Sequence, residues 1–216
     1  YAACDREVAA RFLAEAGIAA EVTEADVFAL KAEGGGMNDD WALTSRLISR
    51  KAREAGAALE VPVERVIPVY QERYLGALAA TERWLAPRPL LERLARRYRL
   101  GIVTGRPRAE VDLAFRLDGA ARDLFHAVVA REDVHPRLKP DPAGIDRALG
   151  ALGCDRPGSL YVGDSVDDMR AARAAGIRAI GCVAPGDDAG RARAALLAAG
   201  AEQVIDGIGA LEDLLL

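Results

Sequence analysis

The sequence has little cysteine and no paired spacing of it. Cys4, Cys154 and Cys182 are odd in number, far apart and outside any CxxC arrangement, which excludes a disulfide framework and a zinc site and points to a reducing, cytoplasmic setting. No run of about 18 apolar residues occurs, so no membrane-spanning helix is expected, and the start lacks the basic-then-apolar layout of a signal peptide. There is no basic stripe either. The formal charge of -4 is spread among mixed acids and arginines, which argues against a nucleic-acid surface and for a small soluble partner. Lysine is scarce, with three among 29 basic residues. Tyr1 is not a methionine and leads at once into helix-like sequence, so a further segment is expected ahead of it.

What is present is an apolar half, 51% of the 216 residues, enough to bury a core in one large domain or two small ones. Over 1–84 the rhythm is helical: Val8, Phe12 and Leu13, then Val27, Phe28 and Leu30, then Leu43, Leu47 and Ile48, with a further helical stretch from Pro62 to about Ala80. A glycine-rich loop, Gly34-Gly35-Gly36-Met37-Asn38-Asp39-Asp40-Trp41, separates the second and third helices. From residue 85 short β-branched runs at 100–103, 127–130, 160–162, 177–183 and 203–205 alternate with helical segments. The expected fold is α/β: a doubly wound, Rossmann-like parallel sheet over 85–216 with a separate helical domain over 1–84. In such sheets ligands bind beyond the carboxyl ends of the strands.

Three motifs stand at those ends. In Val103-Thr104-Gly105-Arg106-Pro107, Thr104 can donate from its hydroxyl and the following amides can bind an oxyanion, although a turn or cap role fits Thr104 as well. Arg106 reads as a phosphate contact or as a surface residue. Leu138-Lys139-Pro140-Asp141-Pro142 reads as a solvated turn, with Asp141 or Pro142 opening a helix, or as a site lysine. A lysine fixed between rigid neighbours in an arginine-rich chain favours the second reading, because a compact ammonium can hold a phosphoryl oxygen and a carboxylate together. In Val162-Gly163-Asp164-Ser165-Val166-Asp167-Asp168, one acid would serve as a helix cap, but three within five residues repel one another unless a divalent cation such as magnesium neutralises them.

A hydroxyl, a lysine and an acid pair at successive strand ends are the parts of a phosphoryl-transfer site. On these motifs the chain resembles the haloacid dehalogenase superfamily, and phosphoglycolate phosphatases in particular. Thr104 matches its second motif, Lys139 its third, and Asp164 with Asp168 its fourth. The resemblance covers nearly the whole chain and makes 1–84 a helical cap, with Asn38 and Asp40 in its substrate-selecting loop. It implies a Mg2+-dependent phosphatase acting on a small phosphorylated metabolite through an aspartyl phosphate. Asp164 would ligate the metal directly and Asp168 through water or by orienting its shell. Lys139 would neutralise the pentacoordinate phosphorus, and Thr104, with Gly105 and Arg106, would hold phosphoryl oxygens. Asp167 is expected to face solvent.

The superfamily's first motif, an apolar strand ending in Asp-x-Asp-Gly, is absent from the 216 residues. Asp5-Arg6-Glu7-Val8 reads as the first turn of a helix, and Asp118-Gly119 lacks the partner acid. The strand that carries the nucleophile is therefore expected ahead of Tyr1, lying between the strands at 100–103 and 160–162. A phosphomutase of the same superfamily and an inactive relative that binds a phosphorylated ligand or a protein are the competing readings. The protein is expected to be a monomer or homodimer.

Overall fold

The computed structural model describes residues 1–33, 37, 39–117 and 120–216, and divides into two compact units, Tyr1–Glu82 and Arg83–Leu216. The first unit is helical, with α1 (Ala2–Glu15), α2 (Glu24–Glu33), α3 (Asp40–Glu54) and α4 (Val63–Arg73). Its core is the expected periodic set: Val8 and Leu13 from α1, Val27 and Leu30 from α2, Leu43, Leu47 and Ile48 from α3, and Val66 and Tyr70 from α4 are buried. Phe28 is half-buried. Asp39 caps α3 by accepting from the Trp41 amide at 3.2 Å. After α4 the chain loosens into a π turn at Tyr74–Leu78 and a 3-10 turn at Ala79–Thr81.

The second unit alternates strands and helices: α5 (Arg88–Ala95), β1 (Leu100–Val103), α6 (Arg108–Ala114), β2 (Phe125–Val129), α7 (Ala143–Leu152), β3 (Leu160–Gly163), α8 (Val166–Ala174), β4 (Arg178–Cys182), α9 (Ala189–Ala199), β5 (Gln203–Ile205) and α10 (Leu211–Leu215). All pairings are parallel. Strand side chains alternate between two apolar layers. Tyr161, Ala179 and Val204 join Ile145, Met169 and Leu196 from α7, α8 and α9, while Leu160, Val162, Ile180 and Ile205 join Leu90, Leu94 and Leu211 from α5 and α10. Helices thus cover both faces, as short, near-continuously apolar strands require.

Instead of one continuous sheet, the strands form two, β1-β2 and β3-β4-β5. The break falls between β1 and β3, and burial marks it. No residue of β1 or β3 is fully buried, although Ile102, Val103, Leu160, Tyr161 and Val162 are apolar, whereas Ala179, Ile180 and Gly181 in the middle of β4 are. One side-chain bond crosses the break, from the Tyr161 hydroxyl to the Val103 carbonyl at 3.2 Å.

Candidate active site

The three motifs stand at the carboxyl ends of β1 and β3 and in the loop before α7. The Thr104 amide extends the β1-β2 ladder by donating to the Val129 carbonyl at 2.9 Å. Its hydroxyl oxygen then accepts from the Arg106 amide at 3.2 Å, the local turn bond that Thr favours after a strand. The turn reading and the site reading of Thr104 are compatible, because a hydroxyl that accepts keeps its own hydrogen to donate. Gly105 borders open space: a side chain added there would meet nothing within 4 Å.

Asp141 has the structural duty in the second motif. It caps α7 by accepting from the Ala143 amide at 2.8 Å and pairs with Arg137. That cap fixes the turn from which Lys139 points inward. The lysine side chain is 12% exposed and its Nζ lies 2.5 Å from Asp168 Oδ1, with Tyr161 Oη at 3.4 Å. Burial alone would lower the lysine pKa, but the Asp168 carboxylate outweighs it, so Lys139 stays protonated above its ordinary range. Burial would likewise raise Asp168, and the Lys139 charge overrides it and holds the carboxyl below the usual carboxylate range.

Asp168 is placed by a capping box. Ser165 caps α8 by accepting from the Asp168 amide, and its own amide and hydroxyl donate to Asp168 Oδ2 at 3.1 and 2.7 Å. Lys139 and Tyr161, the latter at 3.0 Å, donate to Oδ1. A carboxylate offers about four lone-pair positions, and here Ser165 fills both on Oδ2 and Lys139 one on Oδ1, with the single Tyr161 hydrogen shared between Oδ1 and the Val103 carbonyl. Asp168 therefore serves first to hold the ammonium in place. Tyr161 was not singled out as a site residue by the sequence, where it reads as one more apolar strand position. Burial, then the Asp168 charge, hold its phenol above the usual tyrosine pKa.

The expectation that Asp167 faces solvent does not hold: its side chain is 1% exposed, with Arg170 one turn further on at 3.7 Å. Asp164 is the exposed acid of the three. It follows Gly163 directly, and its charge contributes to keeping Lys139 protonated. As a hard oxygen donor at a strand end it suits magnesium, which takes one or two carboxylates and completes its shell with water and phosphate oxygens. Among the described residues no group of three or more His, Cys, Asp or Glu gathers as a full metal cage, and that is compatible with such a shared shell.

The strand-end geometry brings together Lys139, Asp168 and Tyr161 directly, and Thr104 through the Val103 carbonyl that precedes it. The two candidate residues in the helical unit stand apart from this description. Asp40 opens α3 and pairs with Lys31 at 3.1 Å, and Asn38 lies outside the described residues. Among those residues no helix is long and apolar enough to cross a membrane.

The chain is 36% identical over 171 residues to an imidazoleglycerol-phosphate dehydratase of Phytophthora nicotianae, covering 76% of this chain and 36% of that protein. It is 37% identical over 122 residues to the plasmid-encoded phosphoglycolate phosphatase of Cupriavidus necator, covering 55% of this chain and 48% of that one. It therefore spans between about a third and a half of the length of these curated relatives. A hydrolase from Pseudomonas syringae shares the fold, with a TM-score of 0.72 over 99% of this chain and 91% of that one, at 22% identity. The model of the family described as haloacid dehalogenase-like hydrolase matches residues 44–182. That span takes in Thr104, Lys139, Asp164 and Asp168, and with it the chain belongs to the haloacid dehalogenase-like hydrolases.

Proposed function

We propose that the protein is a Mg2+-dependent phosphatase that hydrolyses a small phosphorylated metabolite by way of an aspartyl phosphate. The observation that carries this reading is the buried Lys139 ammonium held on Asp168 at 2.5 Å, at the strand ends where an α/β sheet binds its ligands. A cation so placed, next to the exposed Asp164, is suited to a dianionic phosphoryl group together with a metal. Lys139 draws charge from the phosphoryl oxygens as phosphorus becomes pentacoordinate, and Thr104 donates its hydroxyl hydrogen to one of them, with the Gly105 and Arg106 backbone alongside. Asp164 holds the metal. Asp168, held by Lys139 and Ser165, reaches the metal through the water shell. The metal, when bound, would neutralise charge on the phosphate and orient it for in-line attack.

The 216 residues contain no Asp-x-Asp-Gly motif to supply the attacking aspartate. We place it on a strand that fills the break between β1 and β3, two apolar strands in which no residue is fully buried. The name of the Phytophthora relative is not carried over, since this chain corresponds to 36% of that protein. The helical unit is proposed as the cap, with Asn38 and Asp40 in the loop that selects the substrate.

The test is phosphate release from a panel of phosphate esters by the intact protein, with Mg2+ and with a chelator. Hydrolysis that requires Mg2+ and falls by about 100-fold or more in Lys139→Ala is the expected result. Absence of hydrolysis across the panel in the intact protein would overturn the reading. Isomerisation of a sugar phosphate without net phosphate release would replace it with a phosphomutase.

A further inference from the structure

β2 and β5 are the outer strands, each with a neighbour on one side only among the described residues, and they stay outermost whether or not a further strand fills the break between β1 and β3. Backbone groups of alternate residues along such a strand face outward. On β2 the Val129 carbonyl bonds the Thr104 amide on the inner side, so the Val128 carbonyl and the Ala130 amide face out. One ion pair takes both. Arg108, at the start of α6, donates from Nη1 and Nη2 to the Val128 carbonyl at 3.4 Å each. Asp133 Oδ2 accepts from the Ala130 amide at 2.7 Å and pairs with the same guanidinium. On β5 the Ile205 carbonyl bonds the Val183 amide inward, which turns the Val204 carbonyl out. Arg193 of α9 meets it from Nη1 at 2.6 Å and is anchored through Nη2 on Asp206 Oδ1 at 2.5 Å.

We propose that Arg108 and Arg193 close the two outer edges against strand addition by a second copy of this chain. An edge strand offers its unpaired backbone groups to any other edge, and proteins blunt such edges with short strands and charge. β2 has five residues and β5 three, so one outward carbonyl is a large part of what each edge offers. Each guanidinium takes that carbonyl and sets a positive charge where an incoming strand would lie. Two edges brought together would oppose arginine to arginine. Both arginines are 40% exposed, and ion pairs open to water contribute little stability, which leaves the edge as the thing they act on. The inference is independent of the phosphatase reading and of what fills the break.

The experiment uses the intact protein with Arg108→Met, Arg193→Met and both together. Methionine keeps an unbranched stem and removes the donors and the charge. Sedimentation velocity over about a hundredfold range of protein concentration reads the weight-average mass. With one edge freed, copies pair only like with like. With both freed, β2 of one copy also meets β5 of the next, a contact that does not close on itself. Each single variant should gain at least about half the parent's mass at the highest concentration, and the double variant more, all returning to the parent's mass on dilution. Arg193→Lys, which keeps a charge on the edge, should stay at the parent's mass. Near-UV circular dichroism separates edge pairing from unfolding, since the added mass must come with the parent's spectrum. A double variant that keeps the parent's mass throughout overturns the proposal, as does added mass that appears only with loss of that spectrum. A gain in Arg193→Lys equal to that in Arg193→Met overturns it too. Should the double variant not fold, the single variants decide by the same criteria.

Discussion

Gly163 and Asp168 are in contact so close that a β-carbon on Gly163 would lie 2.4 Å from Asp168 Cβ and 2.5 Å from its Cγ. Nothing flexible is available to yield. The Asp168 side chain is held by donors on both oxygens, and its Cβ is fixed to the first turn of α8. The glycine that ends β3 is required for the next helix to bring its acid back over the strand.

Gly163→Ala should therefore displace Asp168 and, with it, Lys139. Overpacking of this kind costs about 1–3 kcal/mol of stability. A lowered unfolding midpoint, measured in denaturant, should accompany loss of most phosphate binding. Unchanged stability would show that α8 slides away from β3 without penalty.

Ser165→Ala removes the N-cap of α8 and one of the two donors to Asp168 Oδ2, while the Ser165 amide remains. Loss of a serine cap costs about 1 kcal/mol. Ser165→Thr keeps the hydroxyl and should retain most of the stability that the alanine variant loses. Equal losses in the two variants, read from denaturant midpoints, would mean that the hydroxyl contributes nothing.

Much of this was legible in the sequence because its signals are local. The runs at 100–103 and 203–205 are strands as read, and those at 127–130, 160–162 and 177–183 lie within two residues of the observed ends. Lys139 stands out in the sequence by its rarity and by the two prolines that follow it, Pro140 and Pro142. The inward turn of Asp167 was missed because adjacent acids in the first turn of a helix look alike in sequence, and only packing decides which of them is covered. Tyr161 was missed for a different reason. Its aromatic ring satisfies the apolar rhythm of β3, so nothing in the pattern reveals that its hydroxyl meets residues from β1, α8 and the loop before α7. The break between β1 and β3 is likewise a matter of pairing between strands about 60 residues apart, which periodicity does not carry.

The acids of the fourth motif should separate by function. Asp164 is exposed and Asp167 is 1% exposed beside Arg170. In the intact protein Asp164→Asn should abolish calorimetric Mg2+ binding and Mg2+-dependent hydrolysis while leaving the unfolding midpoint nearly unchanged. Asp167→Asn should do the reverse and lower stability first, by about 1–3 kcal/mol for a disturbed buried polar group. Loss of Mg2+ binding in Asp167→Asn, with Asp164→Asn unaffected, would exchange the two assignments.

The helical unit carries its own pH dependence. Asp5 is fully buried in α1, and its Oδ1 accepts from the Thr44 hydroxyl of α3 at 3.0 Å. Burial, then the charge of Asp40, push its carboxyl up to about 7, against the opposing pull of Lys31 and Thr44. Cys4 beside it and Tyr70 on α4 are neutral and offer no compensating charge. In the unfolded chain the same carboxyl releases its proton near its ordinary value of about 3.9. Between these two values the folded state holds a proton that the unfolded state has lost, so stability falls as pH rises from about 4 to about 7 and stays low above that. A separation of about three pKa units corresponds to on the order of 4 kcal/mol. Asp5→Asn keeps an acceptor for Thr44 and removes the charge. It should therefore match the parent near pH 4 and exceed it in melting temperature near pH 8. Parallel melting curves for parent and variant across that range would show that Asp5 does not carry the dependence.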